Sequence, residues 1–116
     1  MAIPDSLRRD LADIPVLEDP GSLRMKSRDF FWFSPILKQS LDDKRADVVV
    51  VPRDKSDVPR VAAACARHRV PLTVRGGGTG NYGQAVPLSG GIVLDMAKLD
   101  QTIWHRPGAG RQVDRL

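Results

Sequence analysis

Between residues 46 and 99 the apolar positions of this chain change period in an orderly way. Ala46-Asp47-Val48-Val49-Val50-Val51 is a continuous β-branched run that stops at Pro52, the pattern of a strand covered on both faces. Val58, Val61, Ala62, Cys65 and Ala66 then recur at helical spacing and form one apolar stripe. Ser56 is placed to cap that helix, and Pro59 falls in its first turn, where a missing N–H costs nothing. Pro71 stops the helix after His68-Arg69, and Leu72-Thr73-Val74 supply a second strand. Strand, amphipathic helix and strand with short joins predict a right-handed βαβ unit whose two strands are parallel. Gly91-Ile92-Val93-Leu94-Asp95-Met96 predicts a third strand, and Ile103-Trp104 begins a fourth. The fold class expected is α+β, with an α/β-like βαβ unit followed by further strands.

The flanks are less regular. Pro4, Pro15, Pro20 and Gly21 leave room for one short helix, Asp5 to Ala12, capped by Asp5 or Ser6, in a leader outside the core. Asp29-Phe30-Phe31-Trp32-Phe33-Ser34-Pro35 gathers all three Phe and one of the two Trp. Adjacent aromatics of this kind pack against the following domain or mark a contact surface. After the loop Arg106-Pro107-Gly108-Ala109-Gly110, the stretch Arg111 to Leu116 is mostly polar, and no closing element is expected there. The organisation predicted is a leader with an aromatic cluster over residues 1–41 and a partial domain over 42–116. One helix on three or four strands leaves a sheet face without a layer, which suggests part of a larger domain.

At 116 residues the chain has room for one domain, which buries roughly two-thirds of its unfolded surface. The 18 Lys+Arg against 14 Asp+Glu give a formal charge of +4, and the basic residues are scattered from Arg8 to Arg115. That mild excess suits a small anionic ligand, and with no groove-reading element it argues against nucleic acid. One cysteine, Cys65, excludes an internal disulfide and points to a reducing, cytoplasmic setting. No apolar h-region follows Met1, and the longest aliphatic run, Val48 to Val51, is too short to cross a bilayer. His68, near a helix C-terminus, and His105, alone in a strand, have structural readings. No metal-ligand spacing and no nucleophile–base pair is present, so no catalytic residue is assigned.

The candidate chemistry lies in Arg75-Gly76-Gly77-Gly78-Thr79-Gly80-Asn81-Tyr82-Gly83, at the carboxyl end of the second strand, where open α/β sheets place their ligands. Successive glycines can take positive φ and aim backbone N–H groups into one concavity, as a phosphate or pyrophosphate requires. Thr79 offers a hydroxyl donor, and Asn81 tolerates left-handed backbone while donating through its amide. Arg75 either adds charge to such an anion or pairs with an acidic neighbour at the strand end. A Walker A loop is excluded, because Gln84-Ala85 stand where Lys and Ser or Thr are needed. Gly78, Gly80 and Gly83 match a Rossmann fingerprint formally, but Pro87 and Gly90-Gly91 come too soon for the helix that motif needs. A KH-type reading of Gly80 to Gly83 lacks its flanking helices.

In these residues the chain resembles the FAD-linked oxidases of the vanillyl-alcohol oxidase and p-cresol methylhydroxylase fold, in the branch of the glycolate oxidase flavin subunit and the D-lactate dehydrogenases. The likeness runs from about Ala46 to Leu99: the strand end Val49-Val50-Val51-Pro52, the helix opening Ser56-Asp57-Val58, the string Arg75 to Gly80, and the strand Gly91 to Met96. It implies that Gly76, Gly77, Gly78, Thr79 and Gly80 wrap the FAD pyrophosphate, with Asn81, Gly83 and Gln84 near the ribityl or isoalloxazine side. It further implies Val51 and Pro52 close to the adenosine part. Some members attach flavin through a histidine in this loop; Thr79 occupies that neighbourhood here, so FAD is expected to be non-covalent. The same likeness implies a flavin-dependent oxidoreductase acting on a 2-hydroxy acid, of which this chain is an N-terminal piece, inactive without a C-terminal part or partner subunit. The rival expectation is a non-enzymatic interaction module that docks a partner through Phe30 to Phe33.

Overall fold

The computed structural model describes residues 3–31, 34–80, 83, 85–99, 102–106 and 111–114, the last two segments by backbone alone. Helix α1 (Asp5–Asp10) leads to a two-residue strand β1 (Val16–Leu17), then helices α2 (Pro20–Lys26) and α3 (Pro35–Leu41). Strand β2 (Val48–Val50), helix α4 (Asp57–Arg67) and strands β3 (Leu72–Arg75) and β4 (Ile92–Asp95) follow, and β5 (Thr102–Arg106) and β6 (Arg111–Asp114) end the described chain. The α+β expectation holds, and the βαβ unit is present with its helix between two strands of parallel direction.

Those two strands are not neighbours. The four-stranded sheet runs β1-β2-β4-β3, so β4 lies between β2 and β3 and is parallel to both, while β1 pairs antiparallel with β2. Entry of β4 depends on Gly91, whose φ of 80° suits glycine and whose missing Cβ leaves room for the Pro71 carbonyl. That carbonyl accepts from Ile92 N–H at 2.9 Å and starts the β3–β4 ladder. Across the other edge of β4, Asp47 N–H donates to Gly91 O at 2.8 Å and the Asp47 carboxylate accepts from Gly91 N–H at 2.7 Å.

Both faces of this sheet are covered, unlike the expectation of one bare face. Val48, Val50, Ile92 and Leu94 meet Val61, Ala64 and Cys65 of α4 together with Leu7, Leu11 and Ile14. On the opposite face Val49, Val93 and Ala46 pack with Leu23 of α2. The N-terminal stretch therefore belongs to the core: Leu7 is 0 % and Ile14 3 % exposed. Leu7 and Leu11 are one helical turn apart, and the prolines around them bound the helix without removing its apolar stripe. Two further helices, α2 and α3, begin with Pro at the first helical position behind a capping side chain. Asp19 accepts from Ser22 N–H at 2.9 Å and Ser34 from Leu37 N–H at 3.4 Å.

Other expectations shift by a residue or a face. Helix α1 is capped by the backbone of Pro4, which places Asp5 and Ser6 inside its first turn. Ser56 sits at the N-cap of α4, but its hydroxyl turns to the Asp54 carboxylate and makes no cap bond. The buried set of α4 is Asp57, Val61, Ala64 and Cys65; Ala62 and Ala66 face solvent, because α1 packs along the Ala64 side. Cys65 is buried as expected, and burial pushes its thiol pKa up. The helix ends in a Schellman arrangement, with Val70 N–H donating to Cys65 O at 2.9 Å and Arg69 at φ 55° where glycine is usual. The C-terminal stretch does pair: β5 and β6 form an antiparallel two-stranded sheet. The connecting loop 107–110 lies outside the described residues.

Polar side chains also join the segments around α1 and α4. Asp10 meets Arg67 Nη1 at 2.9 Å and His68 Nε2 at 3.0 Å, and Asp13 meets Arg60 Nη2 at 2.8 Å and Arg53 Nη2 at 3.1 Å. Buried Asp57 accepts from Arg53 N–H at 2.8 Å and Nε at 3.0 Å, and this arginine holds its carboxyl below the ordinary carboxylate range.

Replacing Leu7 by Ala is expected to cost about 2–5 kcal/mol in urea unfolding, and a loss below about 0.5 kcal/mol would place α1 outside the core. The Asp57 pKa is depressed by folding, so its contribution is complete above the ordinary carboxylate value and is lost as pH falls through the lower folded value. The melting temperature should decline on acidification below about pH 4, and Asp57→Asn should flatten that decline, as a thermal scan at stepped pH will read.

Candidate functional site

The three parallel strands end at one edge of the sheet. Register pairs Val50 and Val74 with Leu94, and Arg75 with Asp95, so Val51-Pro52 and Arg75-Gly76 leave the sheet at one level with β4 between them. The glycine loop starts there. Of Gly76, Gly77, Gly78 and Gly80, Gly78 alone takes positive φ, at 70°, so the loop bends at one residue where a run of left-handed glycines was expected. Gly76 has open space around its Cβ position, whereas a Cβ on Gly78 would overlap the Arg75 guanidinium. Gly83, at φ 81°, is the second left-handed glycine of this stretch.

Arg75 is 7 % exposed and runs beneath the loop. Its Nη1 donates to the carbonyls of Lys26 at 3.0 Å and Arg28 at 2.5 Å, and its Nη2 to that of Gly77 at 3.4 Å. Its Nε has no partner among the described residues. Burial pulls the guanidinium pKa below its ordinary value, opposed by the charges of Asp95 and Asp29. Asp95, 6 % exposed, forms an ion pair with Lys26 Nζ at 2.9 Å and accepts from Ala97 N–H at 3.1 Å. Asp29, 4 % exposed, accepts from Phe31 N–H at 2.7 Å through one carboxylate oxygen and from Gly83 N–H at 2.9 Å through the other. Phe30 N–H donates to Gly80 O at 2.8 Å.

These ties engage the loop through carbonyls and through its far end. The N–H groups of Gly76, Gly77, Gly78, Thr79 and Gly80 donate to no other described residue. Of these residues Gly77 and Gly78 line a cleft of about 440 Å³, with Arg75 beside them and Arg24, Arg28, Asp29 and Phe30 on the other side. A row of undirected amides beside arginines can hold an anion with several acceptor oxygens.

The structure thus gathers Arg75, Gly76, Gly77, Gly78, Thr79 and Gly80 at one sheet edge, with Gly83 tied beside them and Val51 and Pro52 on the same edge beyond β4. Asn81 and Gln84 lie outside the described residues, as do Trp32 and Phe33. Phe31 is wholly buried beneath Arg28, whose guanidinium carbon lies 5.8 Å from the ring centroid. Phe30 is 40 % exposed. Sequence reasoning did not find Lys26, Asp29 and Asp95. Asp95 closes the apolar run Ile92-Val93-Leu94 as a lone charge, and Asp29 opens the aromatic run; both were visible signals of a buried, partnered carboxylate. Among the described residues no cluster of His, Cys, Asp or Glu could hold a metal, and no helix is long and apolar enough to cross a membrane.

The family described as FAD binding domain matches residues 46–113. Similar proteins include the glycolate oxidase subunit GlcD of Escherichia coli (strain K12), 41% identical over 60 residues, which are 52% of this chain and 12% of that protein. The GlcD of Bacillus subtilis (strain 168) is 37% identical over 57 residues, 49% of this chain and 12% of its own length. D-2-hydroxyglutarate dehydrogenase of Escherichia coli (strain K12) is 46% identical over 81 residues, 60% of this chain and 8% of its length. Among solved structures, an alkyldihydroxyacetonephosphate synthase superposes with a TM-score of 0.74 over 90% of this chain and 23% of its own, at 16% identity, which is a likeness of fold. A Physcomitrella patens BBE-like 1 variant gives 0.64 over 85% and 21%, at 14% identity. The chain therefore spans about 12% of the length of the GlcD proteins it matches.

Gly76→Ala, in open space, is expected to stay within about 1 kcal/mol of the parent in chemical unfolding, while Gly78→Ala, strained and pressed on Arg75, loses about 1–3 kcal/mol. Equal effects of the two substitutions would show that the Arg75 side chain does not pass under Gly78.

Proposed function

The chain belongs to the FAD binding domain family, whose cofactor is FAD, and on that premise we propose that the Gly76–Gly80 loop grips the FAD diphosphate. The observation that carries this reading is the row of amides at Gly76, Gly77, Gly78, Thr79 and Gly80 with no acceptor among the described residues. Diphosphate oxygens are acceptors at the spacing such a row serves, and Thr79 adds a hydroxyl. Arg24 and Arg28 bring positive charge to the cleft wall. Arg75, whose Nη1 and Nη2 donate to carbonyls, favours the anion by its charge from beneath the loop. In this reading Val51 and Pro52 border the adenosine part, and Asn81, Gly83 and Gln84 lie toward the ribityl and isoalloxazine side. The flavin is non-covalent, since Thr79 provides no attachment point.

Bound FAD supplies the capacity to accept a hydride. The residues of this chain bind and orient it. Relatives named for glycolate, D-lactate and D-2-hydroxyglutarate share a 2-hydroxy acid as the named compound. That supports a flavin-dependent oxidoreductase acting on the CH–OH carbon of a 2-hydroxy acid, with substrate contacts and catalytic groups supplied outside these residues and no turnover by this chain alone. The single buried cysteine supports a reducing, cytoplasmic setting.

In an NMR titration, excess FAD should shift the amides of Gly76 to Gly80, while riboflavin, which lacks the diphosphate, leaves them in place. Denaturation should then release intact FAD. Equal shifts with riboflavin, or none with FAD, would remove the loop from the binding site.

A further inference from the structure

Residues 26–31 precede the part of the chain that the family match covers, yet they hold the glycine loop at both ends. At the near end the Arg75 guanidinium joins the carbonyls of Lys26 and Arg28 to that of Gly77. At the far end Phe30 N–H takes the Gly80 carbonyl, and the Asp29 carboxylate bridges Phe31 N–H to Gly83 N–H. Gly76 to Gly80 are suspended between these ties, with their N–H groups unused by the described protein. A bend of glycines has many backbone conformations of similar energy, so convergent amides require that the ends be fixed from outside the bend.

We infer that Asp29 is a positioning residue for the cofactor: its buried carboxylate, by holding Gly83 N–H, sets the curvature of Gly76 to Gly80 and so the affinity for the diphosphate. This rests on the loop being the diphosphate site. Asp29 lines the cleft beside Gly77 and Gly78, but both of its carboxylate oxygens are engaged by backbone amides, so it acts through the backbone it holds. Both carboxylate oxygens accept from amides, and an isosteric carboxamide can accept through one of them only, its NH2 then facing an N–H donor. The energetic consequence of one opposed buried pair is enough to release the far end of the loop.

The test measures FAD and riboflavin binding by the full polypeptide that carries this chain, as parent and as Asp29→Asn. FAD affinity is expected to fall about ten- to a hundredfold with riboflavin affinity unchanged, because the loss falls on the diphosphate contacts. A purely structural role would weaken both flavins alike, and that result, or unchanged FAD affinity, overturns the inference. Asp29→Ser supplies a second arm if the carboxamide does not fold: its shorter hydroxyl can serve Phe31 N–H but does not reach Gly83, so the same selective loss is expected. If the parent itself binds FAD no better than riboflavin, the loop reading has failed, and the role of Asp29 fails with it.

Discussion

The insertion of β4 between β2 and β3 is the constraint on which the rest depends. Two strands joined by one helix would make a sheet edge; a third strand, parallel to both and level with both, makes a platform on which several chain segments end side by side. The insertion is possible because Gly91 lets the backbone pass within bonding distance of the Pro71 carbonyl. It brings Asp95 opposite Arg75 at the platform edge and puts the glycine loop next to a buried pair of opposite charges.

Buried charge is tolerated there because it is used. The Arg75 guanidinium meets three carbonyls, Asp29 two amides, and Asp95 an ammonium and an amide. Arg75 and Asp29 connect the N-terminal stretch to the loop, and Asp95 connects that stretch to the end of β4. Charge and geometry are coupled here, because the side chains that bring charge under the loop also fix its backbone.

Much of this fold was legible. The β-branched run at Val48 to Val50, the helix behind Ser56 and the strands at Leu72 and Ile92 follow from apolar period alone, because the period of a strand or a helix is written into consecutive residues. What escaped was decided by contacts of long separation. The position of β4 between β2 and β3 is invisible to a local pattern, and so is the covering of the second sheet face by Leu23 of α2. Pro20 was read as limiting helix formation and no helix was expected behind Pro35, though Asp19 and Ser34 in front of them make each the first residue of a helix. In the candidate site, the glycines and Thr79 were legible as a loop at the carboxyl end of a strand, and the structure has them leave β3 there. That Gly78 and Gly83 are the residues that bend left-handed there, and that Arg75 points under the loop to carbonyls of residues 26 and 28, depends on contacts that no local pattern encodes.

The ties between the loop and residues 26–31 also bear on the order in which the molecule acquires its parts. Asp29 and Gly83 are separated by 54 positions, and Arg75 and Lys26 by 49, so each tie closes a long stretch of chain. Closures of that length come late, after the local α4 turn and the β3–β4 ladder have repaid their own entropy. During synthesis the anchoring segment leaves the ribosome well before the loop it anchors. The loop thus reaches its folded shape among the last events of folding, after the sheet it rises from.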